Sequence, residues 1–270
     1  MIMAGLVALL IYPGGLLAIG LSMSYRLLSD RPLPIQGVLR FPPDLIGGLV
    51  WASVVLVAGG LVCLPWPRHP WPVPFGWLSA WVLLESAAWL PFLPALLAGT
   101  PHLVRAAVRE AQISMLGRAI LWGAVATGLT LADEISGWSS IGHGLVLLST
   151  LLSLPAAINW GPFGPEPSLE PQGITAGLAT RSAWELTFAR DTVAAALIAT
   201  SWLGSLPIAL FPPWLGLLAI GGGSAGTALV LRWLRGRLPR LSVPSALRTT
   251  LIGAGSLALL ALIVSALGQR

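Results

Sequence analysis

Long apolar runs separated by short polar gaps make up almost all of this 270-residue chain. An apolar helix of about 20 residues spans the hydrocarbon core of a bilayer. The runs predict about eight such helices, over roughly 3–25, 44–64, 75–98, 112–133, 138–158, 184–210, 213–233 and 249–268. The fold class is therefore all-α, a polytopic membrane protein. The gaps leave room for a single integral membrane domain over 1–270 and for no soluble domain. The first run opens Met1-Ile2-Met3-Ala4-Gly5, without a basic n-region, and reads as a retained helix, not a cleaved signal peptide.

Punctuation inside the pattern adds detail. Pro13-Gly14-Gly15 interrupts the first helix, a break that membranes tolerate when neighbours satisfy the freed backbone groups. The first gap mixes Leu27, Leu28, Leu33 and Ile35 with Arg26, Asp30 and Arg31, the pattern of a short interfacial piece. The second gap, 65–74, is rich in Pro and Trp and too rigid for helix; Trp66 and Trp71 suit the headgroup level. Pro212-Pro213 forces a sharp turn after the sixth helix. Gly221-Gly222-Gly223 with Gly226 gives the seventh helix a small-residue face for close packing. The fifth gap, 159–183, contains Pro162, Pro165, Pro167 and Pro171. No internal repeat is visible, which argues against the inverted-repeat architecture of many transporters.

Composition agrees with the pattern: 56% of residues are apolar, 9% are charged, and the mean hydropathy is +0.84. Soluble domains carry roughly a quarter charged residues, so a globular cytosolic protein is excluded. The net charge of +5 comes from arginine alone, since the chain has no lysine. With so few acids, the pI near 10.9 is the positive-inside excess of arginine, supported by contacts to anionic headgroups, and does not point to nucleic acid. The arginines alternate. Arg26, Arg31 and Arg40 lie in the first gap, Arg105 and Arg109 in the third, Arg181 in the fifth, and Arg235, Arg237, Arg240 and Arg248 in the seventh. Among even gaps only the second holds one, Arg68, and Arg270 at the end is a minor exception. By the positive-inside rule the odd gaps face the cytoplasm and both termini lie outside.

Ionisable groups within a bilayer cost about 2.5–3.5 kcal/mol at a helix centre and are therefore candidate functional residues. Glu85 lies mid-helix and is either a protonated acid bonded to a neighbouring helix or a proton relay. Arg118 either snorkels to the headgroups or pairs with a carboxylate, Glu85 or Asp191. Arg190-Asp191 reads as a neutralised internal pair. Asp133-Glu134 end the fourth helix as solvated acids or a proton exit. His143 is either a hydrogen-bonded helix contact or a proton shuttle. Cys63 stands alone, so neither an internal disulfide nor a cysteine metal site forms, and it reads as a packing residue. His69, His102 and His143 have neither the depth nor the spacing of haem ligands. There is no metal cluster, nucleophile elbow or phosphate-cradling loop, so no catalytic residue is assigned.

Several segments together resemble one family. Gly99-Thr100-Pro101-His102-Leu103-Val104-Arg105-Ala106-Ala107-Val108-Arg109-Glu110 is similar to a loop reading approximately G-S-x-F-x-x-x-G-A-S-R-E. That loop follows the third helix in the complex I subunit 1 (H subunit) family and its relatives in membrane-bound hydrogenases such as formate hydrogenlyase. Gly37-Val38-Leu39 with Asp44 resembles the segment entering the family's second helix. Pro162-Phe163 with Glu166 and Glu170 resembles a shortened P-F-D-x-x-E-x-E loop. Asp191 falls at a carboxylate of the sixth helix, and Arg237-Leu238 with Arg240 resembles an A-R-L-R run before the last helix.

The resemblance implies an eight-helix core in a prokaryotic cytoplasmic membrane, with the N-terminus outside and the longer loops inside. It implies hydrophilic redox subunits and antiporter-like membrane subunits as partners. Arg105, Arg109, Glu110, Glu166, Glu170, Arg235, Arg237 and Arg240 would be docking contacts. Iron–sulfur clusters belong to the partner subunits only, and a quinone site at the interface with the peripheral arm is open. The chain itself would be a non-catalytic subunit of an oxidoreductase of the NADH:quinone or hydrogenase kind.

Departures change the expected role. The family's R-x-G-P is replaced by Leu33-Pro34-Ile35-Gln36, and its E-Y-S-G falls at 178–181. Its buried glutamates of the fourth and fifth helices fall at Arg118 and Ala157. A cation at Arg118 raises the barrier for another cation, so the expectation is a coupling and anchor subunit that conducts protons weakly or by another route. The rival reading is a small-solute or lipid-linked transporter with Glu85 and Arg118 lining its cavity. A membrane enzyme acting on lipid has no supporting constellation.

Overall fold

A computed structural model describes residues 2–29, 44–70, 76–131, 137–164, 180–207, 210–234 and 237–268. Arg31, Arg40, Trp71, Asp133, Glu134, Glu166, Glu170, Arg235 and Arg270 lie outside the described residues, as does the side chain of Arg181. Most of the described residues are helical, with α1 over Ile2–Leu10, α2 over Gly15–Leu28, α3 over Leu45–Val62, α4 over Gly76–Trp89, α5 over Leu93–Leu97, α6 over Pro101–Thr130, α7 over Gly137–Ala157, α8 over Thr180–Ser205, α9 over Pro213–Leu234, α10 over Val243–Thr250 and α11 over Ser256–Gly268.

Several of these join into single spans. α1 and α2 are separated only by the Pro13-Gly14 break, whose amides and carbonyls are re-used: Gly14 donates to the Ala8 carbonyl and accepts from Ala18, each at 2.9 Å. A Cβ at Gly14 would collide with the carbonyls of Ala8 and Leu9, so the break needs glycine there. The α4–α5 span passes through a 3₁₀ turn at Leu90–Phe92, where Pro91 and Pro94 remove amide donors. α10 and α11 are one helix with a π turn at Leu251–Gly255. The Ser149 hydroxyl on α7 donates to the Ala254 carbonyl of that turn at 2.8 Å.

Among the described residues seven spans are long and apolar enough to cross a membrane: Met3–Leu28, Leu45–Val62, Gly76–Leu97, Pro101–Thr130, Gly137–Ala157, Pro213–Leu234 and Val243–Gly268. The eighth expected crossing is α8. Its 26 residues reach about 39 Å at 1.5 Å per residue, but it is not apolar enough to join the seven. Burial explains the difference. Every residue from 191 to 200 is buried, so α8 meets protein there instead of lipid and tolerates polar residues.

Two helices start earlier than the apolar runs. α6 begins at Pro101, after Gly99 at φ +67°, where 112 was expected. Arg105, Arg109 and Glu110 are therefore helical and not in a loop. At 30 residues, α6 is about 45 Å long, beyond the hydrocarbon thickness of about 30 Å, so its first turns have room for charge. Arg248 likewise lies on α10, whose start is capped by the Ser242 hydroxyl accepting from the Ser245 amide. Asp44 caps α3, its Oδ1 accepting from the Gly47 amide at 2.7 Å.

The chain forms two compact units, Met1–Gln112 with Gly164–Ala196, and Ile113–Phe163 with Leu197–Arg270; the boundaries fall inside α6 and α8. In the first unit, Val50 and Val54 of α3 pack with Leu186, Phe188 and Ala189 of α8, and Phe92 and Ala95 pack with Leu103 and Ala107 of α6. The 63–70 connection is non-helical, as its prolines predict. Trp66 within it is buried, not lipid-facing; it meets the Tyr12 ring edge-on at 6.4 Å, and the Tyr12 hydroxyl donates to the Pro67 carbonyl at 2.6 Å. In the second unit, Ala124, Val146 and Ala261 join α6, α7 and α11, and Ile113, Ala156, Phe163 and Ala246 form a second cluster.

The glycine-rich run of α9 packs differently from the expectation. Only Gly223 makes close contact, against the Trp202 indole, while Gly221, Gly222 and Gly226 have open space where a Cβ would be. Close approach falls instead on α6. A Cβ at Gly117 would collide with the Ala157 amide, and one at Gly128 with the Gly204 carbonyl.

Candidate functional site

The site is built on the part of α8 in the first unit, where Arg190 and Asp191 are adjacent. Neighbouring residues on a helix point about 100° apart, so the two cannot serve one partner. Asp191 turns to α2, where its Oδ2 accepts from Arg26 Nη1 at 2.8 Å with both side chains 2% exposed. Arg190 turns to α6 and donates through Nη2 to Glu110 Oε2 at 2.7 Å. The expected neutralised Arg190-Asp191 pair is thus two separate ion pairs joining three helices.

Surrounding groups support this arrangement. The Arg26 guanidinium lies 5.9 Å from the Phe188 ring centroid, a cation–π distance. One turn away along both helices, Thr192 donates to the Ser22 hydroxyl at 3.0 Å. A buried ion pair survives desolvation only with good geometry and further hydrogen bonds. The α2–α8 pair has both. Glu110 is less completely served: its Oε1 is buried and has no hydrogen-bond partner among the described residues. Glu185, also on α8, is buried at 7% exposure.

The remaining sequence candidates distribute as follows. Arg105 is exposed, and Arg109 is half-buried, donating to the Gly164 carbonyl at 3.5 Å. Arg237 and Arg240 are exposed, with the Arg237 guanidinium 4.0 Å above the Trp233 ring. Glu85 is half-buried and accepts from Trp89 Nε1 of its own helix at 3.1 Å. Arg118 is 3% exposed, so it does not snorkel; its Nη1 donates to the Ala157 carbonyl at 3.5 Å. That carbonyl ends α7, and a cation there offsets the negative end of the helix dipole. The two positions where the resembled family places buried glutamates, Arg118 and Ala157, are therefore in contact. His143 is buried in α7.

Sequence reasoning missed Arg26 and Glu185. Arg26 counts as a gap residue in the positive-inside alternation, although it directly follows the first apolar run and lies one turn beyond Ser22. Glu185 lies between Trp184 and Leu186, and that apolar setting was the available signal.

These features define a class: an all-helical polytopic membrane protein whose interior holds paired charges. No protein-family profile and no curated protein matches the sequence. Among solved structures, the fold is shared with a chain of the membrane-bound sulfane sulfur reductase, an archaeal respiratory membrane complex. The TM-score is 0.64 at 14% identity, over 97% of this chain and 99% of that chain.

Proposed function

We propose that this protein is a membrane-embedded subunit of a complex-I-related respiratory or hydrogenase-type assembly, coupling and anchoring a cytoplasmic redox arm to the membrane arm. The observation that carries the reading is the fold match along essentially the whole of both chains, to a protein of a respiratory membrane complex. The motif resemblance at Arg109-Glu110 and at Asp191 points the same way from independent grounds. On this reading the chain lies in a prokaryotic cytoplasmic membrane with both termini outside. Arg105, Arg109, Arg237 and Arg240 are the contacts for hydrophilic subunits that hold the iron–sulfur clusters. Antiporter-like subunits adjoin it in the membrane, and the interface with the redox arm is where a quinone would bind if the assembly uses one.

Chemistry assigns the chain a structural share of the work. Paired buried charges tie α2, α6 and α8 together in the first unit, the kind of rigidity an anchor requires. The resembled family's glutamate positions hold Arg118 and Ala157, so a proton path through them lacks its acids and meets a fixed cation.

Mild-detergent purification of the tagged chain from its own cells, with mass spectrometry of what accompanies it, tests the proposal. Iron–sulfur and antiporter-like subunits are expected in the eluate. Recovery as a lone monomer or homodimer with substrate-dependent flux would establish the transporter reading instead.

A further inference from the structure

Charge is distributed unevenly in the second unit. Its only acidic side chains, Asp133 and Glu134, follow Thr130 in sequence, beyond the end of α6. The other end of the unit is marked by Ile113 of α6, which clusters with Ala156, Phe163 and Ala246 of α10. From Ile113 to Thr130, α6 rises about 26 Å at about 1.5 Å per residue. The Leu241 amide, just before α10, also bonds there, to the Pro162 carbonyl at 3.0 Å. The α10 end of the unit thus brings Arg118, Arg232, Arg237, Arg240 and Arg248, and no acid of its own. Arg118 is buried against Ala157, whereas the other four are exposed.

Those four arginines stand in two settings. Arg237 and Arg240 lie in the connection between α9 and α10. Arg232, in the last turn of α9, and Arg248 on α10 stand beside apolar side chains that face outward. Leu251 and Ile252, three and four residues after Arg248, are 56% and 59% exposed; residues so spaced share a helix face. Leu229, three residues before Arg232, is 46% exposed, and Trp233 beside it is 60% exposed. The outward apolar side chains continue along α11 through Leu259 and Ile263, in the least enclosed of the seven spans. A boundary between guanidinium and outward apolar side chains fits a phospholipid. Its phosphate accepts paired hydrogen bonds from arginine, its acyl chains cover the apolar side, and tryptophan sits at headgroup level.

We propose that this end of the second unit binds anionic phospholipid, with Arg232 and Arg248 on headgroup phosphates and the acyl chains along the outward faces of α9 and α11. Charge decides the lipid class. A zwitterionic headgroup brings its own cation into an acid-free group of arginines, whereas an anionic one brings net negative charge. Lipid binding here does not depend on which assembly the chain joins, and it leaves Arg237 and Arg240 to the hydrophilic subunits.

Native mass spectrometry of the full chain tests this, after equilibration in detergent with equal amounts of phosphatidylglycerol and phosphatidylcholine of matched acyl chains. At least about fivefold enrichment of phosphatidylglycerol among the retained lipids is expected, the contribution of one arginine at a membrane surface. Arg232→Gln with Arg248→Gln should bring the ratio close to one, while Arg68→Gln, which removes the same charge from the second gap, should leave it enriched. Equal retention of the two lipids by the wild-type chain would overturn the proposal, and that result requires no variant to fold. Enrichment that persists in the double variant, or that is lost equally in Arg68→Gln, would overturn it too. So would release of a protein subunit, in place of lipid, when the double variant is purified with its assembly.

Discussion

At the residue scale, the central fact is that two adjacent charges on α8 have different partners. Removing one member of a buried pair strands the other in a medium that cannot solvate it. Asp191→Leu is expected to destabilise the chain by about 3–5 kcal/mol, measured by thermal unfolding in detergent. Arg26→Met with Asp191→Leu should recover most of that loss, because no unpaired charge remains; a double variant as unstable as the single one would show that the pair is not what matters. Asp191 was legible as a site residue, since charge in an apolar run is conspicuous. Its partner was not. Arg26 is 165 positions away, and nothing in the local pattern distinguishes a buried arginine from one lying in a gap.

At the element scale, α6 carries the close packing that the glycine run of α9 advertised. Gly117 and Gly128 are eleven residues apart, which brings them back to nearly one face at about 100° per residue. Both meet backbone, Ala157 and Gly204 respectively. Gly128→Val is therefore expected to cost at least about 1–3 kcal/mol, the range for overpacking, since a carbonyl cannot move aside like a flexible side chain. Gly222→Val, with open space around it, should unfold within experimental error of wild type. Equal effects from the two substitutions would contradict this contrast. Glycine content marks where close contact is permitted, and only the neighbouring helix decides where it is used.

At the scale of the whole molecule, the arginine count makes a topological claim that labelling can check. Single cysteines at Arg105 and Arg237 should react with a membrane-impermeant maleimide only from the cytoplasmic side, and one at Arg68 only from outside. Arg68 and Arg105 reacting from the same side would refute the alternation. Native Cys63 is buried, so it should label slowly in folded protein and fully once denatured, a direct measure of its enclosure. The crossings themselves were legible because a membrane span needs a long apolar stretch and little else. α8 is the expected crossing that falls outside the seven apolar spans, and its residues 191–200 are all buried.

The sequence by itself determined the class, seven of the apolar spans and the segments that resemble a known family, because hydropathy and charge are local and a bilayer reads them directly. It also singled out Glu85, Arg118, Arg190, Asp191 and His143 as costly groups in apolar surroundings, and Glu110 as a docking contact. What only the tertiary structure decided is whom the charges meet: Arg26 opposite Asp191, Glu110 opposite Arg190, and the end of α7 under Arg118. The physical reason is distance along the chain. Desolvation is set by a residue's own segment, whereas the group that compensates it comes from a helix elsewhere in the sequence, and packing alone brings the two together.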